Sequence, residues 1–119
     1  MIIGAALGGL VAWAVIATLL NLALRLSWPA YAAVEKQMDF TFGMLAARLA
    51  IGALASIGAG FTAAWISHRK AIATWVLVIG LLAMFIPIHY SLWLRFPAWY
   101  HAGFILGLMV LPPLGARLR

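Results

Sequence analysis

The chain of 119 residues contains no cysteine and only two acidic residues, Glu35 and Asp39. The absence of cysteine excludes disulfide bonds, thiolate metal sites and thiol nucleophiles. Charged residues make up only 8% of the chain, against roughly 25% in an average soluble domain. Apolar residues make up 67%, and a soluble domain this small could not hide so much apolar surface. The composition therefore indicates a membrane protein.

Four long apolar runs fill nearly the whole sequence, and the only charged residues inside them are Arg48 and Arg117. The runs are Ile2–Leu24, Phe40–Ile66, Ala71–Tyr90 and Trp99–Leu118. A bilayer core of roughly 30 Å requires roughly 20 helical residues per crossing. The runs do not alternate as the strands of a β-barrel do, and continuous apolar segments in lipid must be helices. We predict an all-α membrane protein, a four-transmembrane-helix bundle that forms one domain over residues 1–119.

The predicted helices cover about 2–25, 39–66, 71–90 and 97–118. Asp39 is predicted to cap the second helix. A Ser27 cap, Pro29 and the alanine-rich stretch that follows predict a short interfacial helix between helices 1 and 2. The first run is longer than the core of a signal peptide, and no basic residue precedes it. We therefore expect a retained first helix.

Four crossings place both termini on one side of the membrane. That side carries four basic residues, Arg69, Lys70, Arg117 and Arg119. The other side carries both acids and three basic residues, Arg25, Lys36 and Arg95. The positive-inside rule therefore favours cytoplasmic termini by one residue, and we expect a bacterial inner-membrane protein. The basic residues are expected to meet anionic lipid headgroups, and their scatter argues against nucleic-acid binding.

Most other titratable or polar side chains fall at the helix ends opposite the termini. These residues are Asn21, Arg25, Glu35, Asp39, Arg48, His89 and His101. Together they predict an outward-facing vestibule for a ligand or ion, although polar residues also collect at any membrane interface. A mid-membrane arginine costs roughly 2.5–3.5 kcal/mol. Arg48 is therefore expected either to reach water and pair with Glu35 or Asp39, or to face an internal cavity.

Small residues recur at four-residue spacing on three of the predicted helices. They are Gly4, Gly8, Gly52, Ser56, Gly60, Gly103 and Gly107. Small side chains at this spacing let membrane helices approach closely. Some of these faces could pack against a second copy, so we expect a homo-oligomer, with a dimer favoured, or a larger membrane partner. The alternative is that all of them pack within one bundle.

Sequence motifs for metal or cofactor chemistry are weak. His89 and His101 could bind zinc together with Glu35 or Asp39, or hold a haem, but their spacing matches no known pattern. We therefore predict no metal and no cofactor. In size and helix count the chain is similar to small multidrug exporters and to dual-topology fluoride channels. It lacks the membrane-embedded glutamate of the exporters and the polar track of the channels, so neither family supplies site residues.

The leading interpretation is a small non-enzymatic integral membrane protein that oligomerises or serves as an accessory subunit. One alternative is a channel or carrier for a small anionic solute that uses Arg48 and the vestibule. Another is a membrane-interface enzyme that acts on lipid through His89, His101 and Asp39. A carrier needs a polar path through the remaining two thirds of the bundle, which are apolar. An enzyme needs histidine and acid side chains within hydrogen-bond reach.

Overall fold

A computed structural model describes residues 1–119 and is entirely helical. Its five helices are α1 (Ile2–Ser27), α2 (Pro29–Val34), α3 (Phe42–Ile66), α4 (Ala71–Ser91) and α5 (Ala98–Arg117). All but α2 are long and apolar enough to span a membrane. The prediction of an all-helical chain with four such helices is confirmed.

Two predicted helix caps are wrong. Asp39 is exposed and makes no side-chain hydrogen bond; α3 begins three residues later, at Phe42, with Thr41 as its cap. The Thr41 hydroxyl accepts a hydrogen bond from the Met44 amide at 3.4 Å, because its extended backbone turns that hydroxyl toward the first helical turn. Ser27 does not cap α2 either. It is the last residue of α1, and its hydroxyl donates to the Leu24 carbonyl at 3.4 Å.

Three prolines lie inside helices, where each removes one backbone donor. Pro87 lies in α4, and Pro112 and Pro113 lie in α5. The helix nevertheless continues through both α5 prolines to Arg117.

The four long helices form a bundle in which α3 and α4 each pack against both α1 and α5. This arrangement places α1 and α5 at opposite corners. The helices α3 and α5 run parallel, because their contacting residues keep a constant separation of 52: Arg48 with Tyr100, Gly52 with Phe104, and Gly60 with Pro112.

The backbones of α3 and α5 touch at two points. A Cβ atom added at Gly60 would overlap the carbonyl oxygen of Pro112, and one added at Gly115 would overlap that of Ile57. Only glycine permits this approach. The core next to it is formed by small and branched apolar residues, which are Ala6, Ala59, Ala63, Leu77, Leu81 and Leu108.

The residues predicted to pack helices together occupy unequal environments. Gly52, Ser56 and Gly60 are buried on α3. Gly4 is exposed, and a Cβ atom added there would meet nothing within 4 Å. Gly103 is also exposed, whereas Gly8 and Gly107 are half-buried. The spacing pattern did not include Gly9, which is buried with the carbonyl of Ala59 3.0 Å from its ideal Cβ position.

The outer surface of the bundle is apolar. On α1 an exposed stripe at helical spacing consists of Leu7, Val11, Val15, Leu19, Leu22 and Leu26. The other three long helices also expose large apolar side chains along their length, including Leu54, Ile79 and Val110. A surface of this kind is far larger than the apolar patches of soluble monomers.

Candidate functional site

The half-buried guanidinium of Arg48 on α3 is held by tyrosines from two other helices. Its Nη1 donates to the Tyr31 hydroxyl at 2.8 Å, and its Nε donates to the Tyr100 hydroxyl at 3.2 Å. The guanidinium also lies 4.7 Å from the centre of the Phe40 ring, within the range of a cation–π contact. Both acceptors are neutral, so Arg48 has no direct counter-ion.

Tyr31 is the side chain that α2 contributes to this site. It is fully buried, and its ring stacks between Trp28 at 6.3 Å and Phe40 at 5.4 Å between centroids. Its hydroxyl donates to the Asn21 Oδ1 at 2.8 Å while it accepts from Arg48. Burial raises the pKa of the Tyr31 phenol, which keeps the donating proton in place.

Asn21 continues the hydrogen-bond chain to an ion pair. Its Nδ2 donates to the Glu35 Oε2 at 2.8 Å. Arg25 donates two hydrogen bonds to the same carboxylate, from Nε to Oε1 at 2.7 Å and from Nη2 to Oε2 at 3.1 Å. The hydrogen bonds from Arg25 lower the pKa of the Glu35 carboxyl, so it is ionised at neutral pH. The chain therefore runs from Arg25 through Glu35, Asn21 and Tyr31 to Arg48.

The predicted direct pairing of Arg48 with Glu35 or Asp39 is wrong. Glu35 is bonded to Arg25 and Asn21, and the only salt bridge of the protein is Arg25–Glu35. Asp39 is exposed and outside the network. The reason lies in α2. Its buried residue Tyr31 contacts Arg48, whereas Glu35, the residue that ends the helix, bonds to Arg25 on α1.

A cavity of about 260 Å³ lies next to this network, and we call it the Arg48 cavity. Its walls come from all four long helices and include Trp13, Asn21, Arg48, Phe85, Tyr100 and Phe104. It also reaches Thr18, whose side chain is exposed, so the cavity opens at the surface of α1. Arg48 carries five N–H donors, of which the two tyrosines take two, so unused donors remain at the cavity wall.

Part of the wall of the Arg48 cavity is aromatic. The Trp13 ring lies 4.7 Å from Phe85 and 6.2 Å from Phe104 between centroids. The Trp13 indole N–H donates to the Ser56 hydroxyl at 3.0 Å, and that hydroxyl donates to the Gly52 carbonyl at 2.7 Å. These bonds fix the indole and satisfy its polar atom. The cavity lining thus combines a cation with aromatic side chains that pack against one another.

The two remaining residues of the predicted vestibule form a separate pair. His89 and His101 are buried, and their Nδ1 atoms are 2.6 Å apart, so one ring donates and the other accepts. Trp93 stacks on His101 at 5.0 Å, and the His101 Nε2 is buried without a hydrogen-bond partner. Neither histidine lines the Arg48 cavity. The structure contains no group of three potential metal ligands.

The structure therefore brings Asn21, Arg25, Glu35 and Arg48 into one network. It pairs the two histidines with each other and leaves Asp39 apart. Tyr31, Tyr100 and Trp13 were not among the site residues predicted from the sequence. In the sequence, the only sign that these residues form a site is a hydroxyl or an indole N–H in or near an apolar segment. Tyrosine and tryptophan side chains at any membrane interface have the same feature, so it does not single these three out.

Comparison of the chain with known protein families, with curated proteins and with solved structures found no match.

Proposed function

We propose that the protein is a small, non-enzymatic integral membrane protein that binds a partly apolar anion in the Arg48 cavity. The proposal of a membrane location is supported by four helices of sufficient length and hydropathy and by the exposed apolar stripes on their outer faces. In this arrangement α2 lies at the surface opposite the termini. Cytoplasmic termini, in a bacterial inner membrane, stay a prediction.

The observation that carries the binding proposal is the missing counter-ion of Arg48. A half-buried cation normally has an acid partner or a hydrated surface, because an unpaired charge in a low-dielectric site is costly. Arg48 instead has two neutral phenols and an adjacent cavity of about 260 Å³. A carboxylate or phosphate in that cavity would supply the charge and accept the unused guanidinium donors.

The aromatic residues of the cavity wall suggest what the rest of the ligand is. Trp13, Phe85 and Phe104 present aromatic surface, which suits an alkyl or aryl group. At about 260 Å³ the cavity is slightly smaller than typical ligand pockets, which measure roughly 300–1,000 Å³. We infer a short amphiphilic anion, one acidic group on a compact apolar body.

Binding suits this geometry better than conduction does. Beyond the cavity, the bundle is closed by a core of buried apolar side chains, with Ala59, Leu77 and Leu108 at its centre. A permeating anion would meet no charged side chain in this core and would have to give up most of its hydration. The predicted homo-oligomer, with a dimer favoured, remains a prediction. The enzyme alternative has little support, because His89 and His101 bond to each other and both acids lie elsewhere.

The test uses octanoate as the anionic probe and octanol as its neutral counterpart. The full chain in detergent micelles is titrated with each, and its unfolding temperature is followed by tryptophan fluorescence. A ligand that binds only the folded state raises that temperature. Octanoate should raise it in a saturable way, and octanol should not.

The Arg48→Met variant removes the charge and keeps much of the side-chain volume. Its response to octanoate should fall to that of octanol. Arg95→Met is the matched control, since Arg95 is exposed, does not line the cavity and bonds to the Gln37 carbonyl. It should respond as the unmodified protein does. Equal effects of octanol and octanoate, or an unchanged response of Arg48→Met, would refute the site.

A further inference from the structure

A second pocket lies at the opposite end of the bundle, where α4 begins and α5 ends. It has a volume of about 320 Å³, and its wall includes Arg69, Ala71, Thr74, Trp75 and Arg117. We call it the basic pocket. It shares no residue with the Arg48 cavity.

The basic pocket is lined by two basic side chains and by no acidic side chain. Arg69 and Arg117 line it from two different segments, and both are exposed. Lys70 and Arg119 add charge at the same end. The side-chain carboxylates of the protein, Glu35 and Asp39, lie in the α2–α3 connection at the other end. Two guanidinium groups around one pocket repel each other unless an anion lies between them.

The end of α3 determines where Arg69 lies. The Arg69 amide donates to the Ala64 carbonyl at 2.7 Å, which closes the last turn of that helix. The Ser67 hydroxyl accepts from the Lys70 amide at 3.2 Å, and Ser67 is fully buried. The connection between α3 and α4 is therefore tied to both helices, and Arg69 is held beside the pocket.

Thr74 supplies an unused donor in the wall of the basic pocket. The residue as a whole is only 3% exposed, and its hydroxyl makes no hydrogen bond within the protein. The buried or half-buried hydroxyls of Ser56 and Thr62 behave differently, because they donate to the carbonyls of Gly52 and Gly58. The His101 Nε2 is the only buried side-chain polar atom without a hydrogen-bond partner, so the Thr74 oxygen borders the open space of the pocket. A ligand atom in the pocket could therefore bond to it.

The backbone adds a further donor. Ala71 is the first residue of α4, its amide has no backbone acceptor, and the helix has no side-chain cap. First-turn amides of a helix are suited to anions. Guanidinium groups on two sides, a hydroxyl and a free amide together match the acceptor oxygens of a phosphate.

We propose that the basic pocket binds a phosphate group, held by Arg69, Arg117, the Thr74 hydroxyl and the Ala71 amide. The phosphate comes either from the headgroup of an anionic phospholipid or from free phosphate in solution. The exposed Trp75 side chain beside the pocket provides a surface for the glycerol and upper acyl chain of a lipid. The site is independent of the anion bound at Arg48.

The test measures lipid binding to the full chain in detergent by native mass spectrometry. The probes are dioleoylphosphatidylglycerol, which is anionic, and dioleoylphosphatidylcholine, which is zwitterionic. We expect the anionic lipid to bind at least tenfold more tightly. Arg69→Gln and Arg117→Gln should each weaken it by fivefold or more, and Thr74→Val by threefold or more.

Matched variants separate this site from general charge effects. Arg119→Gln removes the same charge at the same end but outside the pocket, and it should weaken binding by less than twofold. Thr62→Val is the control for Thr74→Val, since the Thr62 hydroxyl is already bonded within its helix. Arg48→Met should keep full lipid binding, which makes this site testable whatever the outcome at the Arg48 cavity. Unfolding temperatures verify that each variant is folded.

A parallel titration with inorganic phosphate distinguishes the two sources. Lipid binding that millimolar phosphate does not displace assigns the pocket to a headgroup. Saturable phosphate binding that displaces the lipid, and that needs Arg69 and Arg117, assigns it to free phosphate. The proposal is overturned if Arg119→Gln weakens binding as much as Arg69→Gln does, or if neither pocket arginine matters.

Discussion

Tyr31 and Arg48 are separated by 17 residues in the chain, and the phenol oxygen of one lies 2.8 Å from the Nη1 of the other. The same oxygen donates to Asn21 at 2.8 Å. One hydroxyl therefore joins α1, α2 and α3. Since it is buried and has a partner on each side, its loss leaves two polar groups unsatisfied.

The Tyr31→Phe variant removes this hydroxyl and keeps the ring. We expect the free energy of unfolding to fall by about 1–3 kcal/mol, because Asn21 loses a donor and Arg48 loses an acceptor. The measurement is reversible denaturation in detergent, followed by tryptophan fluorescence. Tyr90→Phe is the control, since the Tyr90 side chain is 84% exposed and makes no hydrogen bond. Equal stability of the two variants would show that the hydroxyl contributes nothing.

The Gly60→Ala variant tests the contact between α3 and α5. A methyl group at this position overlaps the Pro112 carbonyl, which belongs to the backbone and cannot rotate away. Forcing the helices apart should cost about 1–3 kcal/mol. Gly4→Ala is the matched control on α1, where the methyl group meets nothing within 4 Å. It should be neutral or slightly stabilising, because alanine favours helix more than glycine does. Unfolding of both in detergent gives the comparison.

The ion pair of Arg25 and Glu35 predicts a dependence of stability on pH. Arg25 lowers the folded-state pKa of the Glu35 carboxyl. The pair therefore contributes fully above the unfolded-state pKa of glutamate, roughly 4.3. Its contribution is lost as the pH falls through the lower folded-state value.

This dependence is measured as the difference in unfolding temperature between the unmodified protein and Glu35→Gln. The difference should be constant from neutral pH down to roughly pH 5 and should shrink below roughly pH 4. Groups that titrate in both proteins, including the histidines, cancel in the difference. A difference that stays the same at the lowest pH would mean that the pair does not stabilise the fold.

The sequence predicts the four long helices well, because an apolar segment in lipid must bond its backbone polar groups internally. Apolar runs of about 20 residues have few alternatives to a helix. The first residue of α3 is harder to predict. Asp39 and Thr41 are both good capping residues within three positions, and only the extended backbone at Thr41 brings its hydroxyl to the Met44 amide. Local chemistry alone does not choose between them.

The partners of Arg48 could not be read from the chain. A charge inside an apolar run indicates that a partner is needed, and Glu35 and Asp39 were the obvious candidates. The actual acceptors depend on the register of α2 against α3 and of α3 against α5. The register of α3 against α5 includes a backbone contact between Gly60 and Pro112. The spacing of the glycines does not indicate which residue of another helix each glycine contacts. Tyrosine hydroxyls then become the acceptors.

The contact between α3 and α5 also bears on how the chain is made. Gly60 and its partner Pro112 are 52 residues apart, with all of α4 between them. The glycine face of α3 therefore has no partner until α5 has been synthesised. A chain that lacked α5 would leave the surface of α3 around Ile57 and Gly60 without its packing partner.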